Sequence, residues 1–375
     1  MLLRTLIGSV VIVKSLYLPL FALVFVPLLR AEEAFPLRDG DRVVLVGSTL
    51  IEREQRYGYW ETALTRHYPN KSITFRNLGW SGDTVFGDAR AGFGTQADGF
   101  RHLKDHVLAL KPTVLILGYG TNESFEGPKG LPRFVKGLET LLDAFAPTKA
   151  RIVLLSPLRQ EYLGRPLPDP AENNKNLRLY ADAIRDVAKK RGHRFVDLYD
   201  LLGNEKHNLT EDGIHLTAWG YWRSAVVLEC ALGLREADGD HQRVQGVKIT
   251  DNPRQIRVTA NRLPLPPPPQ EGAPRDSCCV ISLSNGSRQS VLDLDPDLAQ
   301  VEKLRQAIIA KNRLYFYRWR PENETYLFGF RKHEQGQNAR EIPQFDPLIA
   351  EKEKEIAQLR MPMPHVYELK AEKKP

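Results

Sequence analysis

The sequence predicts an α/β protein: a three-layer α/β/α sandwich around a parallel five-stranded sheet, continued by a C-terminal, mostly helical extension. Three observations carry this reading. Short, nearly continuous apolar runs recur between Asp41 and about Gly233, as expected of parallel strands covered on both faces. Amphipathic stretches separate those runs, and strands alternating with helices pack as a parallel sheet between helical layers. Beyond Gly233 the alternation stops and a Pro-rich segment leads into helical patterns.

Taken in order, the chain opens with a mostly apolar stretch from Met1 to Leu29, broken by Arg4 and Lys14 and followed by Arg30, Ala31, Glu32 and Glu33. A basic start, an uncharged apolar core from Ser15 and a small residue at its end describe a secretory signal peptide over residues 1–31. The alternative is an uncleaved membrane anchor. Either way the expectation is a secreted, periplasmic or cell-envelope protein, touching a membrane only through that segment if it is not removed.

The candidate strands are Arg42–Val46, Ile73–Asn77, Thr113–Leu117, Arg151–Leu155 and His193–Asp197. Helical patterns lie near Gly99–Leu110, Leu131–Phe145, Asn174–Arg191 and Ala218–Leu232. These define a domain over residues 32–232. The remainder, 233–375, holds the stiff segment Pro264–Pro269 and two further helical patterns, Asp297–Lys311 and Asp346–Arg360. The aromatic-rich stretch between those helices, Tyr315–Arg331, is unlike a disordered tail, and predicts an extension packed on the first domain as a cap.

Composition narrows the function. The 375 residues carry a formal net charge of +7, and Arg4, Lys14 and Arg30 account for three of those charges within the acid-free N-terminal segment. The remaining excess is mild and dispersed, so no nucleic acid is expected as partner. The three cysteines, Cys230, Cys278 and Cys279, make no disulfide framework and no zinc spacing. No metal and no organic cofactor are implied.

Four short blocks fall at or just beyond predicted strand ends, where parallel sheets bind ligands. They are Gly47-Ser48-Thr49-Leu50, Asn77–Asp83, Gly118–Glu123 and Asp212–Leu216. With these blocks the chain resembles the SGNH hydrolase superfamily, often called GDSL esterases, over about residues 41–232. That family has a nucleophilic Ser in a Gly-Asp-Ser-Leu block, an oxyanion-hole Gly, an oxyanion-hole Asn in Gly-x-Asn-Asp, and an Asp-x-x-His pair near the domain's end. The resemblance implies the flavodoxin-like SGNH sandwich, with Gly79 and Asn122 in the oxyanion hole and Asp212 and His215 as acid and base.

The first block departs from the family. Thr49 stands at the nucleophile position and Ser48 replaces the Asp. A threonine hydroxyl can attack, although its methyl restricts χ1 and crowds the carbon under attack. Three readings stay open: attack by Thr49, attack by Ser48 after a one-residue shift of the turn, or no covalent step. Trp80 and Tyr119 flank the oxyanion donors and either stack on a sugar ring or pack at the rim. Glu123, at the family's second Asp, is grouped with them near substrate and expected to hydrogen-bond its own loop. Ser81-Gly82-Asp83-Thr84 reads as a structural turn. Glu52 and Arg53, one helical turn past Thr49, either line the pocket or pair on the helix surface.

The resemblance implies an exported hydrolase that cleaves an ester, with a small-molecule or glycan ester (an O-acetylated carbohydrate) as substrate. The alternative is a non-catalytic ligand-binding protein on the same fold.

Overall fold

The computed structural model describes residues 34–203, 205, 207–235, 244–249, 255–266, 268, 295–334 and 338–368. The expected signal peptide, Cys278 and Cys279 lie outside the described residues.

Five parallel strands form the central sheet: β1 (Arg42–Gly47), β2 (Thr74–Asn77), β3 (Val114–Gly118), β4 (Arg151–Leu155) and β5 (Arg194–Val196). Their spatial order is β2-β1-β3-β4-β5, so the chain reverses direction across the sheet beside β1. Each strand overlaps its predicted run. Because successive strand residues point to opposite faces, the apolar runs feed two cores. Val43, Leu45, Ile116, Val153 and Leu155 enter one, and Val44, Val46, Leu115, Leu117 and Leu154 enter the other.

The helices of the first domain are α1 (Thr49–Tyr57), α2 (Tyr59–Arg66), α3 (Gln96–Ala109), α4 (Gly127–Phe145), α5 (Ala171–Arg191), α6 (Leu198–Leu201) and α7 (Ala218–Ala231). Trp60 of α2 with Tyr221 and Trp222 of α7 cover the first core. Leu103 of α3, Phe134 and Leu138 of α4 and Tyr180 and Ile184 of α5 cover the second. Helix α4 begins ahead of the predicted Leu131 because Pro128 occupies its first turn, where the missing N–H costs nothing.

In the C-terminal region two strands, β6 (Val244–Ile249) and β7 (Gln255–Ala260), precede α8 (Asp295–Trp319), α9 (Glu324–Leu327), α10 (Phe345–Leu359) and β8 (His365–Glu368). The three strands form an antiparallel sheet in the order β6-β7-β8, an element absent from the helical expectation. Helices α8 and α10 match the two predicted patterns, but α8 runs on through the aromatic cluster to Trp319.

Helix α8 lies over α1, α2 and the edge strand β2, and its contacts are polar as well as apolar. Lys311 is buried with its Nζ 2.5 Å from Glu61 and 3.1 Å from the Phe75 carbonyl. Asn312 donates to the other Glu61 oxygen, and Arg305 donates to the Tyr57 carbonyl. Apolar residues of α8, Leu304 and Ile308 among them, are also fully buried. The extension therefore covers helices whose outer faces carry charge.

Candidate active site

Strand β1 ends at Gly47, the chain turns at Ser48, and Thr49 is the first residue of α1. The Ser48 N–H donates to the Gly118 carbonyl, and the Ser48 carbonyl accepts from Ile51 and Glu52. The first N–H groups of a helix have no partner within it, so Thr49 sits where free amides and the positive end of the dipole converge. Ser48 itself is only 4% exposed.

The block after β2 forms a second wall, and here the expectation for Gly79 is corrected. The Gly79 N–H donates to Asn77 Oδ1 at 2.8 Å, while Asn77 Nδ2 donates to the Ile51 carbonyl at 2.6 Å. A Cβ on Gly79 would lie 2.2 Å from the Glu52 nitrogen. Glycine is needed there so that the strand exit can touch α1, and its N–H is already taken. The N–H that faces the Thr49 hydroxyl belongs to Gly82, 3.3 Å from Thr49 Oγ1. Gly82 has φ +78 with open space around its missing side chain, a left-handed conformation suited to glycine.

Asn122 lies just beyond β3. Its Nδ2 donates to the Asp83 carbonyl at 2.7 Å, which ties it to the residue after Gly82 and leaves a second amide hydrogen. Tyr119 and Glu123, grouped with the substrate contacts in the sequence expectation, are both buried and hydrogen-bonded within the loops. Tyr119 is buried and its hydroxyl donates to Asp83 Oδ2. Glu123 is buried, accepting from the Val85 and Gly120 N–H groups at 2.9 Å each. Burial lifts its pKa to about 7 against those hydrogen bonds. Both residues brace the loops that carry Gly82 and Asn122.

Asp212 and His215 form a dyad. Asp212 Oδ2 lies 2.6 Å from His215 Nδ1, and Asp212 Oδ1 accepts from the His215 and Ile214 N–H groups. Partial burial raises the Asp212 pKa, but the hydrogen bond from the His215 ring and the two backbone N–H groups outweigh it and hold the carboxyl at about 2. An ionised carboxylate on Nδ1 fixes the tautomer and leaves Nε2 as the second ring nitrogen. The loop is rigid for a reason absent from the sequence expectations: Glu161 accepts from the Leu209 and Thr210 N–H groups, and the Glu161 N–H donates to the Gly213 carbonyl. Arg53 of α1 pairs with Glu211 at 2.5 Å, and the Glu211 N–H donates to the His215 carbonyl. Through that pair the helix beginning at Thr49 is joined to the loop carrying His215.

Glu52 turns out to be a strut as well. Its Oε2 accepts from the Ser81 N–H at 2.7 Å and from Arg320 Nη1 at 2.7 Å. The Arg320 guanidinium lies 3.8 Å from the Trp80 ring centroid. Trp80 also meets Trp319 edge-on, with centroids 5.7 Å apart, so it packs at the rim against the C-terminal extension. Among the described residues, Glu211, Asp212 and His215 bring possible metal-ligand atoms within 4.8 Å of one another. The ion pair and hydrogen bonds above already engage all three.

Residues 43–223 match the GDSL-like lipase/acylhydrolase family. An acetylxylan esterase of Xylanibacter ruminicola is 25% identical over 218 residues, covering 52% of this chain and 44% of the esterase. This chain thus spans less than half of that relative's length. A gut microbial diltiazem-metabolizing enzyme shares the fold with a TM-score of 0.58 at 13% identity, over 88% of this chain and 97% of its own, so the likeness extends beyond the family domain. The acetylxylan esterase of Geobacillus stearothermophilus superposes with a TM-score of 0.43 at 18% identity, over 53% of this chain and 97% of its own. Over residues 43–223, just under half of its length, this chain is thus similar to the GDSL-like lipase/acylhydrolase family.

Proposed function

We propose that this protein hydrolyses an ester of a small acyl group, acetyl on a carbohydrate, with Thr49 as nucleophile. The observation that carries the reading is the pairing of an Asp212–His215 dyad with a helix-start hydroxyl facing the Gly82 N–H. The acetylxylan esterase relative supports the choice of acyl group and alcohol. The apolar N-terminal segment supports export, so that a glycan outside the cytoplasm is the substrate.

In this mechanism His215 Nε2 takes the Thr49 hydroxyl proton as Oγ1 bonds to the ester carbonyl carbon. The negative charge on the carbonyl oxygen is met by the Gly82 N–H, the Asn122 amide and the N–H at Thr49, at the positive end of α1. The C–O bond to the alcohol then breaks, and His215 returns the proton to the departing alkoxide. Water, deprotonated by the same ring, attacks the acyl-threonine and releases the acid. Asp212 holds the imidazole and stabilises the imidazolium. The burial of Ser48 argues against the shifted alternative.

The test is hydrolysis of 4-nitrophenyl acetate and acetylated xylooligosaccharides by wild type, Thr49→Ala, Thr49→Ser and Ser48→Ala. The proposal expects loss of turnover in Thr49→Ala, retention or gain in Thr49→Ser and a mild effect in Ser48→Ala. Absent turnover in wild type with intact glycan binding would make the chain a ligand-binding protein on this fold. Wild-type turnover in Thr49→Ala would end the case for an acyl-threonine.

A further inference from the structure

A cavity of about 1140 Å³ opens between α3, the loop after β2 and the C-terminal helices. Thr49, Asn122, Asp212 and His215 do not line it. Its walls are aromatic: Trp80, Phe93, Tyr315, Trp319, Phe328 and Phe330. Phe93 and Phe330 are 91% and 76% exposed and meet edge-on at 6.4 Å between centroids. Neither contributes to a core, yet together they put apolar surface at the cavity. Exposed clustered aromatics of this kind mark binding surfaces.

Polar atoms without partners sit among these rings. Arg90 has a fully buried side chain, with Nε 2.6 Å from Asp83 Oδ2 and Nη2 2.7 Å from the Leu78 carbonyl. Among the described residues its Nη1 has no partner, nor have Trp319 Nε1 and His106 Nδ1. All three residues line the cavity. They are also neighbours: the Arg90 guanidinium lies 5.8 Å from the Trp319 ring centroid, and the His106 ring 5.6 Å from it. Buried polar groups are nearly always hydrogen-bonded, so orphans clustered in one cavity point to a missing partner. Asp83 already answers the charge of Arg90, so what remains unmet, beside the His106 ring nitrogen, is the two N–H donors of Arg90 and Trp319 rather than an unpaired cation. The partner they lack is an oxygen acceptor.

We propose that this cavity is a second ligand site, taking a flat aromatic molecule that carries a carbonyl or carboxylate oxygen. The ring stacks between the Trp and Phe side chains, and the oxygen accepts from Arg90 Nη1 and Trp319 Nε1. The carbonyl and carboxylate forms share this chemistry. The site does not depend on Thr49 being a nucleophile.

The experiment is calorimetric titration of the full chain with 2-naphthoate, 2-acetylnaphthalene and naphthalene. The first two should bind saturably at one site, and naphthalene at least about tenfold more weakly because it leaves both donors unmet. Trp319→Phe keeps a ring and removes the N–H, so it should weaken the two oxygen-bearing probes several-fold and leave naphthalene unchanged. Ala350→Trp, which fills the cavity from α10, should abolish binding of all three at an unchanged melting temperature. Thr49→Ala should bind all probes as wild type does, which separates this site from the ester site. Absence of saturable binding by every probe would mean the cavity holds only water and would overturn the proposal. So would equal affinity for naphthalene, or loss of binding in Thr49→Ala.

Discussion

Replacing Arg320 by Ala tests whether the C-terminal extension belongs to the active site. In the wild type, Arg320 and the Ser81 N–H share Glu52 Oε2 at 2.7 Å each, and the guanidinium covers Trp80 at 3.8 Å. The turn carrying Gly82 is thus held from both sides. The Glu52 and Arg320 side chains are 10% and 27% exposed, so the ion pair belongs near the upper end of surface pairs, about 1 kcal/mol. The stack on Trp80 adds about 0.5–1 kcal/mol. Outright loss of an oxyanion donor costs about 2.7–4 kcal/mol, and a loosened donor should cost less. We expect about 1–1.5 kcal/mol, roughly a tenfold fall in kcat. An oxyanion donor acts mainly in the transition state, so kcat and kcat/KM should fall together with KM unchanged. Arg320→Lys keeps the charge but not the planar stack and should lie between. Steady-state hydrolysis of 4-nitrophenyl acetate, with a melting curve for each variant, reads these effects. An unchanged kcat, or a change confined to KM, would refute the reasoning.

Three further outcomes follow from the same geometry. Asn122→Ala should lower kcat by about 10²–10³, the range for one oxyanion donor, and a fall below threefold in steady-state assays would remove Asn122 from that role. Asp212 titrates at about 2 in the folded protein, below the unfolded carboxyl at about 3.9. Its stabilisation is therefore complete above the unfolded value and lost as pH falls through the folded one. The stability gap between wild type and Asp212→Asn should shrink between about pH 4 and 2 in denaturant titrations, and a constant gap would contradict the assignment. Lys311→Met leaves Glu61 buried without its cation and should cost about 3–5 kcal/mol in urea unfolding, with Glu61→Gln/Lys311→Met recovering part. A loss under 1 kcal/mol would mean that α8 is not part of the cooperative unit.

The parallel sheet was legible because each strand is covered on both faces, so hydrophobicity alone marks it. Beyond the helical turn that follows Thr49, the extent of α1 and the whole of α2 were not drawn from the sequence, and the reason is physical. Helix α1 buries Glu52, Glu54 and Gln55 alongside Ile51, a pattern that carries no apolar stripe. Glu52 is met there by the Ser81 N–H and Arg320, and Glu54 by the Trp60 N–H. Glu54 is lifted to about 7 by burial and by the nearby Glu61. The sheet of β6, β7 and β8 was missed for a related reason: β8 comes more than a hundred residues after its partner β7, and no local pattern announces such pairing.

The site was legible as a set of blocks but not in its assignment of donors. Asp212 and His215 pair as their three-residue spacing suggested, because a tight loop lets one carboxylate take both the ring nitrogen and the loop amides. The block after β2 holds glycines at 79 and 82, and order along the chain cannot say which N–H is free. The answer lies in two turn preferences that the sequence did contain. Asn side chains capture the backbone N–H two residues on, which disposes of Gly79 through Asn77. A glycine between Ser81 and Asp83 suits a positive φ, which turns the Gly82 N–H toward Thr49. Arg320 could not have been found this way, since it stands 268 residues from Glu52. If the site works as proposed, a family block recognised by motif is completed by a side chain outside the family domain. The Arg320 variants measure that contribution directly.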